Sequence, residues 1–160
     1  MSTIIVPAGF TPLFVPRGFS YVAAALVSTV FLITGQVIAV SQHRKAAGIP
    51  YPHLYADKAE MAASPAAVKF NCVQRAHQNT LEKIAQMYMM TAVLGLRHPV
   101  LAAAALGAWV ASRVAYTVGY ASGTPDNRNN IFTRLLYGPS TFTLCFGSLY
   151  TVYELVAAGV

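Results

Sequence analysis

Of the 160 residues, 56% are hydrophobic and 10% charged, and the mean hydropathy is +0.50. Soluble domains carry roughly 25% charged residues, so this composition is that of a membrane protein, with a length that suits one domain, residues 1–160. The net charge of +6 does not point to nucleic acid, because no basic cluster interleaves with aromatic residues; the charge lies beside the apolar runs instead.

The first eighteen residues contain Pro7, Pro12 and Pro16 and lack a basic n-region. They predict a short extended or interfacial segment and no cleavable secretory signal. A first helix is expected over 19–45. Its stretch 22–40 (VAAALVSTVFLITGQVIAV) is uncharged and approaches the roughly 20 residues needed to span a bilayer, so it would serve as an uncleaved signal-anchor. Gln42-His43-Arg44-Lys45 leaves the hydrocarbon, and Gly48, Pro50 and Pro52 end the helix. Residues 49–68 form the longest loop, with Tyr51 and Tyr55 as interface anchors.

A second helix is expected over 69–96, polar in its first half and apolar in its second. Arg97-His98-Pro99 then turns tightly into a third helix, 100–122, in which Arg113 interrupts an apolar run. The breaker cluster Gly123-Thr124-Pro125-Asp126-Asn127 precedes a fourth helix, 131–157, where Pro139 predicts a kink. The fold class is therefore all-α: an integral-membrane four-helix bundle, up-down because its connections are short. Arg44, Lys45, Lys58 and Lys69 lie between helices one and two, and Arg128 and Arg134 between three and four, against Arg17 and Arg97 on the other side. The positive-inside rule puts those two loops in the cytoplasm and both termini across the membrane.

Two polar stripes stand out. Arg75, Asn79 and Glu82 recur at i, i+4 and i+7 on the second helix, and Arg113, Tyr116 and Tyr120 at i, i+3 and i+7 on the third, so each set shares one face. Ionisable groups within spanning helices mark sites by default, yet they also pair with one another. Two readings stay open on this ground: a cleft for a ligand bearing carboxylates and an amine, or an ion-paired seam using Arg75–Glu82 or Arg113–Glu82. Cys72 and Cys145 fall on separate helices and read as free buried thiols; a nucleophilic Cys72 is the lesser alternative. The histidines lack ligand spacing, so no metal is expected.

The stretch 70–82, FNCVQRAHQNTLE, resembles the signature of the membrane-associated proteins of eicosanoid and glutathione metabolism, the MAPEG family. The segments Val40-Ser41-Gln42-His43-Arg44-Lys45 with Tyr51-Pro52, then His98-Pro99, then Arg113-Val114-Ala115-Tyr116 through Gly119-Tyr120 to Gly123-Thr124-Pro125 and Arg128, are similar to the family in the same order. The likeness spans residues 40–128 and reaches the two ends only by hydropathy.

This resemblance implies a homotrimer in the endoplasmic reticulum membrane, with termini lumenal and active sites between subunits that open toward the cytoplasm. It implies glutathione as co-substrate and a lipophilic electrophile or lipid hydroperoxide as acceptor. By position, Arg75, Asn79 and Glu82 match residues that hold the glutathione carboxylates and amine. Arg113, Tyr116 and Tyr120 match further contacts, and Arg44 matches a basic residue ending the first helix. His77 stands where a relative has Gln, and Lys83 departs from a Tyr. Arg128 matches the arginine that stabilises the thiolate, with a one-residue shift; Asn127 occupies the ungapped position. A non-catalytic, lipid-presenting member of the same architecture is the alternative. A pore or transporter subunit, with Arg75 and Glu82 along a water path, is the rival outside the family.

Overall fold

The computed structural model describes residues 2–3 and 14–159. The extended or interfacial segment expected around Pro7 and Pro12 lies outside these residues. Ser2–Thr3 (β1) and Phe14–Val15 (β2) pair antiparallel, Ser2 opposite Val15. Beyond them the chain is helical: α1 Phe19–Ala47, α2 Lys58–Ala63, α3 Pro65–Gly95, α4 Pro99–Ala121 and α5 Ile131–Ala157, with a 3-10 segment Pro125–Asn129 before α5.

Local chemistry sets the ends. Gly48, at φ 69°, closes α1 by returning its N–H to the carbonyls of Arg44 and Lys45, as left-handed glycines do. The loop after α1 holds a short helix that hydropathy does not reveal. Asp57 and Glu60 form a reciprocal capping box that starts α2. Ser64 is extended and stops it, and Pro65 occupies the first turn of α3, where its missing N–H costs nothing. The helix therefore begins at 65 rather than 69. Pro139 does not break α5, which runs through it to Ala157.

Contacts near the helix ends give the topology. Val22, early in α1, packs on Gly95 at the end of α3, and Gly18 lies against Pro99 and Val100 at the start of α4. Leu94 meets Gly147 of α5, and His98, before α4, bonds Glu154 near the end of α5 at 2.9 Å. The four long helices thus alternate in direction. Their shared core contains Trp109, Leu94, Leu106, Met87 and Leu144. A smaller cluster, Ile49, Ala56, Ala67 and Phe70, lies beneath the loop after α1.

Large apolar side chains also cover the outside, among them Phe31, Met89, Val118, Phe142 and Tyr153. That distribution suits a hydrocarbon solvent and not water. Helices α1 and α4 are long and apolar enough to cross a bilayer. Helices α3 and α5, of 31 and 27 residues, exceed the roughly 20-residue minimum length but carry more polar groups.

The 3-10 segment is seated on α4 through a glycine. A Cβ on Gly119 would stand 2.2 Å from the Asn127 carbonyl oxygen, so only glycine admits that approach. Asn130 reinforces the seat, its side-chain NH2 donating to Ala115 O at 2.8 Å and its oxygen accepting from Thr133 N at 3.0 Å to cap α5. Gly119→Ala should cost about 1–3 kcal/mol through overpacking, read as a lower unfolding temperature in detergent. Gly107→Ala on the same helix, where a Cβ meets nothing within 4 Å, should be neutral or slightly stabilising.

Candidate functional site

The C-terminal half of α1, the N-terminal half of α3, the C-terminal half of α4 and the 3-10 segment converge at one end of the bundle. Here the signature 70–82 divides by face. Phe70, Cys72, Val73, Gln74, Ala76 and Thr80 are buried, whereas Arg75 and Asn79 are half-buried and Glu82 is exposed. Arg75 Nη1 donates to Glu82 Oε1 at 2.7 Å, with 42% and 44% of the two side chains exposed in the single chain. Asn79 Nδ2 points to Glu82 Oε2 at 3.5 Å.

That geometry bears on the seam reading of the stripe. The Arg75–Glu82 pair lies within one helix and joins no second element, and exposed ion pairs add little to stability. It is not the seam that holds the bundle. The interhelical tie is Arg113 of α4, only 2% exposed. Its Nε donates to Thr80 Oγ1 at 3.1 Å and its Nη2 to Asn79 Oδ1 at 3.2 Å. Asn79 thus links the buried arginine to the exposed carboxylate.

Along α4 the polar groups stack as a ladder. The Arg113 guanidinium lies 4.0 Å from the Tyr116 ring centroid, a cation–π distance. Tyr116 meets Tyr120 edge-on with centroids 5.5 Å apart, and Arg128 stands 5.5 Å from the Tyr120 ring. Arg128 Nη1 donates to Pro125 O at 2.5 Å and lies 3.9 Å from Asp126 Oδ1. Its side chain is 32% exposed, so the guanidinium is positioned and still reachable. Of the candidates, Arg75, Asn79, Glu82, Arg113, Tyr116, Tyr120 and Arg128 are thereby gathered.

Arg44 and His77 are placed differently. Arg44 is 7% exposed, with its guanidinium 4.5 Å from the centroids of both Tyr51 and Phe70. Its Nη1 donates to His53 O at 2.6 Å, so it anchors the loop after α1. Asn71 holds the same loop by bonding both Ala56 N and Ala56 O, at 2.8 and 2.9 Å, and Tyr55 OH donates to Gln78. His77 turns toward α1, with Nδ1 3.4 Å from Gln36 Oε1. Lys83 directs its amine to the Tyr137 ring of α5. Cys72 is buried and free.

Sequence reasoning overlooked Gln36, Thr80 and Thr117. Gln36 is 2% exposed and donates to Thr80 and Thr117 at 3.0 and 2.7 Å. The signal was present: an amide within an uncharged span needs an internal partner.

The arrangement can bind a small ligand carrying both signs. Arg75 offers a planar fork for a carboxylate, Glu82 accepts from an ammonium, and the Asn79 NH2, its oxygen being taken by Arg113, adds a donor. Among the described residues, no three His, Cys, Asp or Glu side chains gather to hold a metal ion. The chain matches the MAPEG family over residues 22–150. With its polar face on apolar helices, this protein belongs to the MAPEG family, a family of membrane proteins that includes glutathione-dependent enzymes.

Proposed function

We propose that this protein is a membrane-bound glutathione transferase with glutathione peroxidase activity. The observation that carries the reading is the accessible Arg75–Asn79–Glu82 face, braced from behind by Arg113 and continued by Tyr116, Tyr120 and Arg128. Glutathione has two carboxylates and one ammonium, which this set complements. The segments around 40–45, 70–82 and 113–128 resemble those of microsomal glutathione S-transferase 3. By that likeness all four long helices span the endoplasmic reticulum membrane, with termini lumenal, and three copies associate with the sites between them.

The glutathione thiol, with a reference pKa near ~8.5, is mostly protonated at neutral pH, and the thiolate is the nucleophile. A guanidinium stabilises that anion without competing for its proton, because arginine stays charged. Arg128, exposed at the end of the tyrosine ladder, is the residue assigned this role. The acceptor is apolar and arrives through the membrane. The thiolate sulfur bonds to its electrophilic carbon while a carbon–leaving-group or π bond breaks, and that electron pair takes up a proton or departs with the leaving group. Alternatively the thiolate cleaves the O–O bond of a lipid hydroperoxide, giving the alcohol and a glutathione sulfenic acid that a second glutathione converts to glutathione disulfide and water.

A lipid-presenting, non-catalytic protein is the second reading. A groove of about 430 Å³ lined by Leu26, Val27, Val30, Tyr88 and Ala92 would accommodate an acyl chain in either case. Glutathione separates the two readings, since only the enzyme requires it.

Conjugation and hydroperoxide reduction by the detergent-purified protein, with and without glutathione, provide the test. Arg75→Ala should raise the glutathione KM about tenfold by removing a carboxylate contact. Arg128→Ala should lower kcat about a hundredfold with a smaller change in KM, the pattern of a group acting on developing charge. Full activity in both variants would remove the site assignment, and absence of glutathione binding by calorimetry would remove the enzyme reading.

A further inference from the structure

The polar face of α3 is held from within by a chain of hydrogen bonds that begins on α1. Gln36 Nε2 donates to both Thr80 Oγ1 and Thr117 Oγ1. Thr80 Oγ1 gives its own proton to Ala76 O at 3.0 Å and accepts from Gln36 Nε2 and Arg113 Nε. A hydroxyl has one hydrogen and two lone pairs, so Thr80 is completely used. Thr117 Oγ1 accepts from Gln36 and donates to Arg113 O at 2.8 Å.

The consequence appears at Asn79. Arg113, with Nε committed to Thr80, presents Nη2 to Asn79 Oδ1 and, at 3.5 Å, to Ala76 O. With its oxygen facing the buried guanidinium, the Asn79 amide has one orientation: carbonyl inward, NH2 outward beside Glu82. Thr80 and Arg113 lie too deep to meet a ligand at the surface through the atoms they use here, being 0% and 2% exposed. Buried hydrogen bonds of this kind hold their side chains in place, and a binding constellation needs that support to be held in its productive geometry.

We propose that Gln36 and Thr80 are positioning residues for glutathione binding, which act by seating Arg113 so that Asn79 presents its NH2 group to the ligand. This rests on the glutathione reading above. It adds a role for α1 that no polar stripe discloses, and it makes affinity for glutathione depend on a buried amide one helix away.

The experiment is calorimetric titration of glutathione into the detergent-purified full chain. Thr80→Val keeps the shape and removes the hydroxyl; Thr80→Ser restores the hydroxyl; Gln36→Leu removes the α1 donor. Loss of a buried bond with its partners left orphaned should weaken binding about five- to tenfold in Thr80→Val and Gln36→Leu, while Thr80→Ser stays within about twofold of wild type. Turnover at saturating glutathione should change little, a split in KM against kcat that a general loss of folded protein would not produce. Wild-type affinity in Thr80→Val and Gln36→Leu, alongside weakened binding in Arg75→Ala, would overturn the positioning role and leave the enzyme reading intact. No glutathione binding by the wild type would overturn both. Should Thr80→Val not fold, Gln36→Leu, which leaves the Thr80–Arg113 bond in place, carries the test alone.

Discussion

A guanidinium with 2% of its surface exposed imposes the central constraint on this bundle. Arginine stays charged, so burying it in an apolar helix packing is tolerated where acceptors and an aromatic face compensate its lost hydration. Here the acceptors come from α3: the Thr80 hydroxyl, the Ala76 carbonyl and the Asn79 side chain. Meeting that demand fixes the register of α4 against α3, and Gln36 extends the same requirement to α1. Three of the four long helices are thereby locked at the end of the bundle where the candidate site lies.

This tie lets the neighbouring charges stay open. Because cohesion is supplied by Arg113 and the apolar core, Arg75 and Glu82 need not bridge helices. They remain side by side on one surface with much of each side chain accessible. The aromatic ladder carries the polar surface from Arg113 to Arg128, and the close approach at Gly119 places the 3-10 segment where Arg128 can continue it. The other residues of the signature serve architecture: Asn71 grips the backbone of Ala56, Gln78 receives Tyr55, and Phe70 flanks Arg44. One stretch thus combines two tasks, presenting a polar face and holding the loop above it.

Much of this was legible in the residues. The apolar runs, the polar half of the second long helix and the breaker cluster before the last helix place the four long elements, since hydropathy and glycine or proline punctuation are local properties. Helical period was enough to put Arg75, Asn79 and Glu82 on one face. Helix α3 starts four residues before the expected 69 because Pro65, at a first turn, favours the helix. The capping box of Asp57 with Glu60 starts a helix of six residues, none of them buried, too short to show a core-facing period.

By itself, then, the sequence determined the helices, their apolar surfaces and the chemical character of two stripes, together with the motif that identifies the family. Tertiary packing alone decided which polar groups are consumed internally and which are left to meet a ligand. Arg75 and Arg113 look equivalent in the chain, each opening a stripe; one is open and the other buried because α4 packs its Arg113 face onto α3. Arg44 and His77 likewise turned toward the loop and toward α1. The cause is that burial depends on how helices approach, which here hinges on small residues such as Gly95 and Gly147 meeting side chains far along the chain. Periodicity within one helix carries no record of those distant partners.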